Sequence, residues 1–180
     1  NGSYNVGVAF SGKNYINWSE NIERNYHIFM ASNNNNWNDK LNWLGGELPG
    51  ATDDVTLIAS VVVAKESDIT VANVMIEGSA ALTINGTLNA NDVTITKDAS
   101  LVINGILKAN DVINDVGIGN LLINDGGQLY RTATTLLRGK FVKNIKTPSD
   151  WATTKDGWQL MASPFTNEDD IYTYFTQFTN

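Results

Sequence analysis

Cysteine is absent from the 180 residues. That excludes disulfides and thiolate metal sites, although it leaves the redox compartment open. Histidine occurs once, as His27, beside the apolar "IFM", where a structural role is the simpler reading. No Ser-His-Asp set can be assembled around it. Neither a phosphate-cradling glycine loop nor an H-E-x-x-H helix is present. Prolines number only three, and long helical periodicity is missing. No apolar run approaches the ~18 residues that a membrane-spanning helix needs, so no direct membrane insertion is expected. Positive charge is also scarce, with 12 Lys and Arg against 19 Asp and Glu and a net charge of −7. A nucleic acid or an anionic lipid surface would repel such a chain, and no nucleic-acid partner is expected.

What the sequence has in quantity is asparagine and short β-branched runs. The stretch "LTINGTLNANDVTI" (82–95) returns as "LVINGILKANDVIN" (101–114), nineteen residues later. Aligned at that offset, residues 73–91 and 92–110 are identical at ten of nineteen positions, among them Leu82/Leu101, Ile84/Ile103, Asn85/Asn104, Gly86/Gly105 and Leu88/Leu107. The register extends upstream, where Val55 and Leu57 precede Val74 and Ile76. It extends downstream at an offset of twenty, where Leu121, Ile123 and Asn124 follow Leu101, Ile103 and Asn104. A β-rich period near twenty marks a solenoid.

Each period holds three apolar pairs with one residue between partners, such as Val74/Ile76, Leu82/Ile84 and Leu88/Ala90. Alternation of period 2 places both members of a pair on one strand face. Three inward-facing strands per period make a three-sided coil, whose turns stack as parallel strands about 4.8 Å apart. The predicted fold is all-β: a short right-handed parallel β-helix of about four turns over residues 53–130 with flanking β capping segments, the hand following the rule for parallel crossovers. Asn85-Gly86 and Asn104-Gly105 fall at corners, where at least one glycine is expected to take a positive φ or to sit where a Cβ would clash, and where asparagine bonds neighbouring backbone. Stacked asparagines also bond along a ladder, so Asn85, Asn104 and Asn124 are expected to form one column, and Asp54, Asn73, Asp92 and Asp111 another.

Three segments are distinguished: 1–36, an N-terminal β extension or the tail of a preceding module; 37–130, the capped β-helix; and 131–180, a C-terminal β segment that starts a following module. A short stack has open apolar ends and needs caps. Trp37 and Trp43, ahead of a Gly-Gly and a Pro-Gly, serve either as such a cap or as a platform for sugar rings. The ligand-binding candidates are Trp43, Tyr130 and Trp151, with Arg138, Lys140 and Lys143 as an anion-binding patch or simply a solvated strand face. No catalytic residue is assigned. A glycosidase needs two carboxylates facing each other across about 5–9 Å, and neither Asp53/Asp54 nor the Glu168–Asp170 run establishes that. No cofactor is expected apart from calcium, for which Asp54, Asp92 and Asp111 supply the hard oxygen ligands; turn capping is their other role.

The stretch "WNDKLNW…LPGATDDVTL", followed by V-x-I and L-x-I pairs, resembles the head of right-handed β-helix segments in large secreted or cell-surface proteins of the Bacteroidetes. The later "VKNIKTPSDWATTKDGWQLMASPF" looks like the strand that follows them. The resemblance implies an adhesin-like module of a multidomain chain exported by the type IX route to the outer surface or beyond. Neither "NGSYNVG" nor "YFTQFTN" reads as a natural chain end, which agrees with a piece of a longer exported polypeptide. A non-catalytic structural or adhesion module that meets a surface glycan or protein partner is therefore expected. The alternative is the β-helix portion of a polysaccharide lyase or glycoside hydrolase, for which the corners here are short and poor in clustered charge.

Overall fold

The computed structural model describes residues 26–143. Among these, the β-branched runs form β1 (Tyr26–Phe29), β2 (Asp54–Leu57), β3 (Val61–Val63), β4 (Asp68–Thr70), β5 (Asn73–Ile76), β6 (Ala81–Ile84), β7 (Thr87–Ile95), β8 (Ser100–Ile103), β9 (Ile106–Ile113), β10 (Leu121–Ile123), β11 (Gln128–Arg131) and β12 (Lys140–Phe141). Helix among the described residues is confined to two single 3-10 turns, Lys40–Asn42 and Ile118–Asn120. The strands pair in parallel, as an all-β solenoid requires.

One sheet runs β1-β2-β5-β7-β9-β11 with β4 on β7; the other runs β12-β10-β8-β6-β3. The register keeps the nineteen-residue period: Val55 pairs with Val74, Val74 with Val93, and Val93 with Val112. Leu82 stands beside Leu101, which stands beside Leu121. Five strands stack in the second sheet, so the coil has about five turns. The expected four between residues 54 and 130 gain β1 at one end and β12 at the other.

Inward positions form continuous apolar columns. Val74, Ile76, Leu82, Ile84, Leu88, Val93, Ile95, Leu101, Ile103 and Leu107 are all buried, as the alternation predicts. Each fully buried Leu or Ile contributes roughly 1.5–3 kcal/mol relative to exposure, and it does so only because the next turn covers it. The three sides are not three separate strands, however. β7 runs unbroken from one side to the next, with Leu88 inward before the corner and Val93 and Ile95 inward after it. Asn91 shifts the phase of the alternation by one residue, so a single strand bends and serves two sides.

The N-terminal end is sealed by residues 30–53. This segment bonds to the second sheet through Trp37 N–H to the Val62 carbonyl (3.0 Å) and Val62 N–H to the Asn35 carbonyl (2.7 Å). It reaches β1 through Met30 N–H to Asn42 O (2.8 Å) and Leu44 N–H to Ile28 O (2.9 Å). Trp37 and Trp43 lie over the column ends at 2% exposure each. Trp43 meets Phe29 and Trp37 edge-on, with ring centroids 5.0 Å apart in both cases.

Candidate functional site

The polar side chains of the coil form ladders. Asn104 Nδ2 donates to Asn85 Oδ1 and Asn124 Nδ2 donates to Asn104 Oδ1, each at 2.7 Å. The predicted asparagine column is therefore present. In the second column, Asn73 Nδ2 donates to Asp54 Oδ1 at 2.6 Å, and Asp92 follows in register between Asn73 and Asp111. Asp111 ends that column against Arg131, whose Nε donates to Oδ1 at 2.7 Å. Burial pushes the Asp111 carboxyl up. The Arg131 hydrogen bond and charge, the Val112 N–H and the Thr135 hydroxyl together outweigh it and hold the group below the ordinary aspartate value. Among the described residues, no three His, Cys, Asp or Glu side chains gather in a geometry that could hold a metal ion.

Of the two expectations for the corner glycines, a positive φ or a site where a Cβ would clash, the structure shows the second. A Cβ on Gly105 would lie under 3.0 Å from the carbonyl oxygens of Asn85 and Gly86, and one on Gly86 would meet the Ala64 and Ser67 carbonyls in the same way. Neither glycine has a positive φ. Gly127 completes the column, since a Cβ there would strike the Ile103 carbonyl. Its place was hidden by Asp125-Gly126, which separates it from Asn124.

The asparagine-rich run 33–38 is the wiring of the cap. Asn42 is fully buried and uses its whole amide. Its Oδ1 accepts from the Asn33 and Asn34 N–H groups (2.9 and 2.8 Å), and its Nδ2 donates to Asn34 Oδ1 and the Asn36 carbonyl (both 2.9 Å). Hydrogen bonds from the Asn33 amide, the Leu41 N–H and the Asn34 amide hold Asp39 below its ordinary pKa. His27 is buried beside this cap, with Nε2 3.0 Å from Asp53 Oδ2 and its ring edge-on to Trp43.

Of the aromatic candidates, Trp43 belongs to the cap. Its Nε1 donates to the Trp37 carbonyl at 2.7 Å, and its buried ring presents no face to a ligand. Trp151 lies outside the described residues. Tyr130 is 56% exposed. It stands on β11 next to Lys108, which pairs with Asn89, which pairs with Thr70. Its phenol donates to Gln128 Oε1 at 2.7 Å, so the hydroxyl is oriented and the ring open. Asn89 Nδ2 donates to Asp68 Oδ1 (2.9 Å) and to the Ile69 carbonyl (3.0 Å). The result is a polar strip, with an aromatic ring at one end and Lys108 next to it in register. Sequence reading missed Lys108 and Gln128, because β11 pairs with β9 at an offset of 22 residues (Tyr130 with Lys108), off the nineteen-residue grid.

The basic candidates do not join this strip. Arg138 takes part through its carbonyl, which accepts from Asn114 Nδ2 at 2.6 Å. Lys140 pairs with Leu122 in the other sheet, and Lys143 Nζ bonds Asp125 Oδ1 at 2.7 Å. No helix among the described residues is long and apolar enough to cross a membrane.

No protein-family model matches the chain, and no curated protein or solved structure is significantly similar to it.

Proposed function

We propose that the chain is a non-catalytic structural or adhesion module, a spacer that presents the Tyr130 strip to a surface glycan or a protein partner. One observation carries this reading: the polar side chains of the coil bond to one another along the stack axis instead of converging on a point. Asp54, Asn73, Asn85, Asn104 and Asn124 each join a neighbouring turn. That arrangement resists separation of the turns, as a rod under tension must. Sugar recognition needs a flat apolar face beside hydrogen-bonding groups, and Tyr130 with Lys108, Asn89 and Gln128 combines them. In this reading the module needs no cofactor. The resemblance to Bacteroidetes surface proteins supports placing it in a longer chain exported to the cell surface or the medium.

A screen of plant, algal and host polysaccharides for both binding and product release tests the proposal. Binding without released ends is expected, weakened in Tyr130→Ala by about 1 kcal/mol, which is several-fold in affinity, at unchanged melting temperature. Release of unsaturated or reducing ends, abolished by changing a single carboxylate, would replace this reading with that of a lyase or hydrolase.

A further inference from the structure

The ladders have a common polarity. Asn73 donates to Asp54, Asn89 to Asp68, Asn104 to Asn85 and Asn124 to Asn104. In every case the amide on the later turn donates and the side chain on the earlier turn accepts. The first member of a ladder is therefore used only as an acceptor. Two of the three ladders begin on an aspartate, Asp54 or Asp68, which has nothing to donate when ionised. The third begins on Asn85. The register places Ala64 beneath it, one turn earlier, and among the described residues no side chain receives its Nδ2.

Asn85 is also followed by glycine. Within residues 26–143 the Asn-Gly pair occurs twice, at 85–86 and 104–105. Such a pair is chemically labile because a glycine backbone nitrogen, unshielded by a Cβ, can reach the preceding side-chain amide carbon. Once deprotonated, that nitrogen attacks Cγ. A C–N bond forms, the Cγ–Nδ2 bond breaks and ammonia leaves, giving a succinimide. Water then opens the ring at either carbonyl to aspartate or isoaspartate.

The stack treats its two Asn-Gly pairs differently. At Asn104 the amide would have to surrender both a donated and an accepted hydrogen bond, and the Gly105 N–H is held by the Ile84 carbonyl at 2.8 Å. At Asn85 only an accepted bond is engaged, and the Gly86 N–H reaches the Val63 carbonyl at a looser 3.3 Å. The products differ as well. A carboxylate at 85 still accepts from Asn104, more strongly for being charged, and reproduces the Asp54–Asn73 arrangement. A carboxylate at 104 would turn an oxygen toward Asn85 Oδ1 and lose its donor.

We propose that Asn85 is a deamidation site of the folded chain, the one Asn-Gly whose conversion to aspartate the coil accommodates, while Asn104 is locked although it is the more exposed of the two. The test is a time course at mildly alkaline pH. Trypsin cleavage after Lys97 and Lys108 places Asn85 and Asn104 on separate peptides for mass spectrometry. In the native protein, Asn85 should convert several-fold faster than Asn104; in urea the two rates should converge. Equal native rates, a faster Asn104, or no native conversion over a period in which the denatured chain converts would overturn the proposal. Independently, Asn85→Asp should melt with the wild type while Asn104→Asp melts several degrees lower. Equal melting of the two variants would refute the polarity argument.

Discussion

At the scale of single residues, the corner glycines separate two reasons for the same amino acid. Gly105 has no unusual φ; it is required because the carbonyls of Asn85 and Gly86 occupy the space of a Cβ. Gly105→Ala should therefore cost about 1–3 kcal/mol, since backbone must move to admit the methyl group. Gly119→Ala, with nothing within 4 Å of its Cβ position, should melt like the wild type. Chemical denaturation of the two variants checks the contrast. Asp111 gives a pH prediction. Its pKa is lowered in the fold by Arg131 and its other donors against the opposing effect of burial, so the fold favours the ionised form. Its stabilising contribution is fully present above the ordinary aspartate value of 3.8 and is lost as the pH falls through the lower folded value. Asp111→Asn should thus melt below the wild type at neutral pH, and the difference should shrink in acid. A difference that stays constant across melting curves from neutral to acid would show that charge at Asp111 is irrelevant. The Asn85–Asn104–Asn124 column was readable in advance because stacking preserves side-chain identity at a fixed offset. A Cβ clash was one of two readings of the glycine; the choice between them was not legible, because the clashing carbonyls are contributed by another turn.

At the scale of elements, the cap segment 30–53 decides how the solenoid ends. Its tryptophans fit either a sugar platform or a seal when read as sequence, and their burial makes them the seal. Trp43→Ala should cost about 3–5 kcal/mol, as large aromatic truncations do, and should expose the first turn to pairing with another chain. Denaturant titration with size-exclusion chromatography measures both effects. A variant with wild-type stability and no new oligomer would show the seal to be dispensable. The bent β7 belongs to this scale too. Its two halves are legible as apolar pairs, Leu88/Ala90 and Val93/Ile95. Their union into one strand depends on backbone pairing to β5 and β9 on either side of Asn91. β3 escaped the repeat because the corner after it holds two extra residues: Val61 pairs with Leu82 at an offset of 21, whereas β4 is back on the period, with Asp68 paired to Thr87 at 19.

At the scale of the whole molecule, stability accumulates from turn to turn, since each turn buries its apolar face only against its neighbours. Removing one complete period should therefore leave a shorter version of the same coil. Deleting residues 92–110 joins Asn91 to Asp111 and brings Leu121 over Leu82 and Gln128 over Thr87, because Leu101 and Ile106 formerly stood between them. The deletion variant should keep a β-type circular dichroism spectrum and melt cooperatively, several degrees below the wild type. Removing nine residues from the same region should abolish folding, because it shifts inward side chains outward. Loss of structure in both variants would show that the turns are not interchangeable.

The all-β class, the nineteen-residue period, the inward columns and the asparagine ladder are all written in the order of the amino acids. These follow from alternation along a strand and repetition between strands, which covalent geometry transmits without knowledge of the rest of the chain. The tertiary structure alone decided that Trp43 is buried while Tyr130 is open, that Lys108 stands beside Tyr130, that Arg131 closes on Asp111, and which amide of each ladder donates. Those outcomes depend on corners of unequal length, and a corner that gains a residue moves everything after it to a new neighbour while the local pattern stays the same.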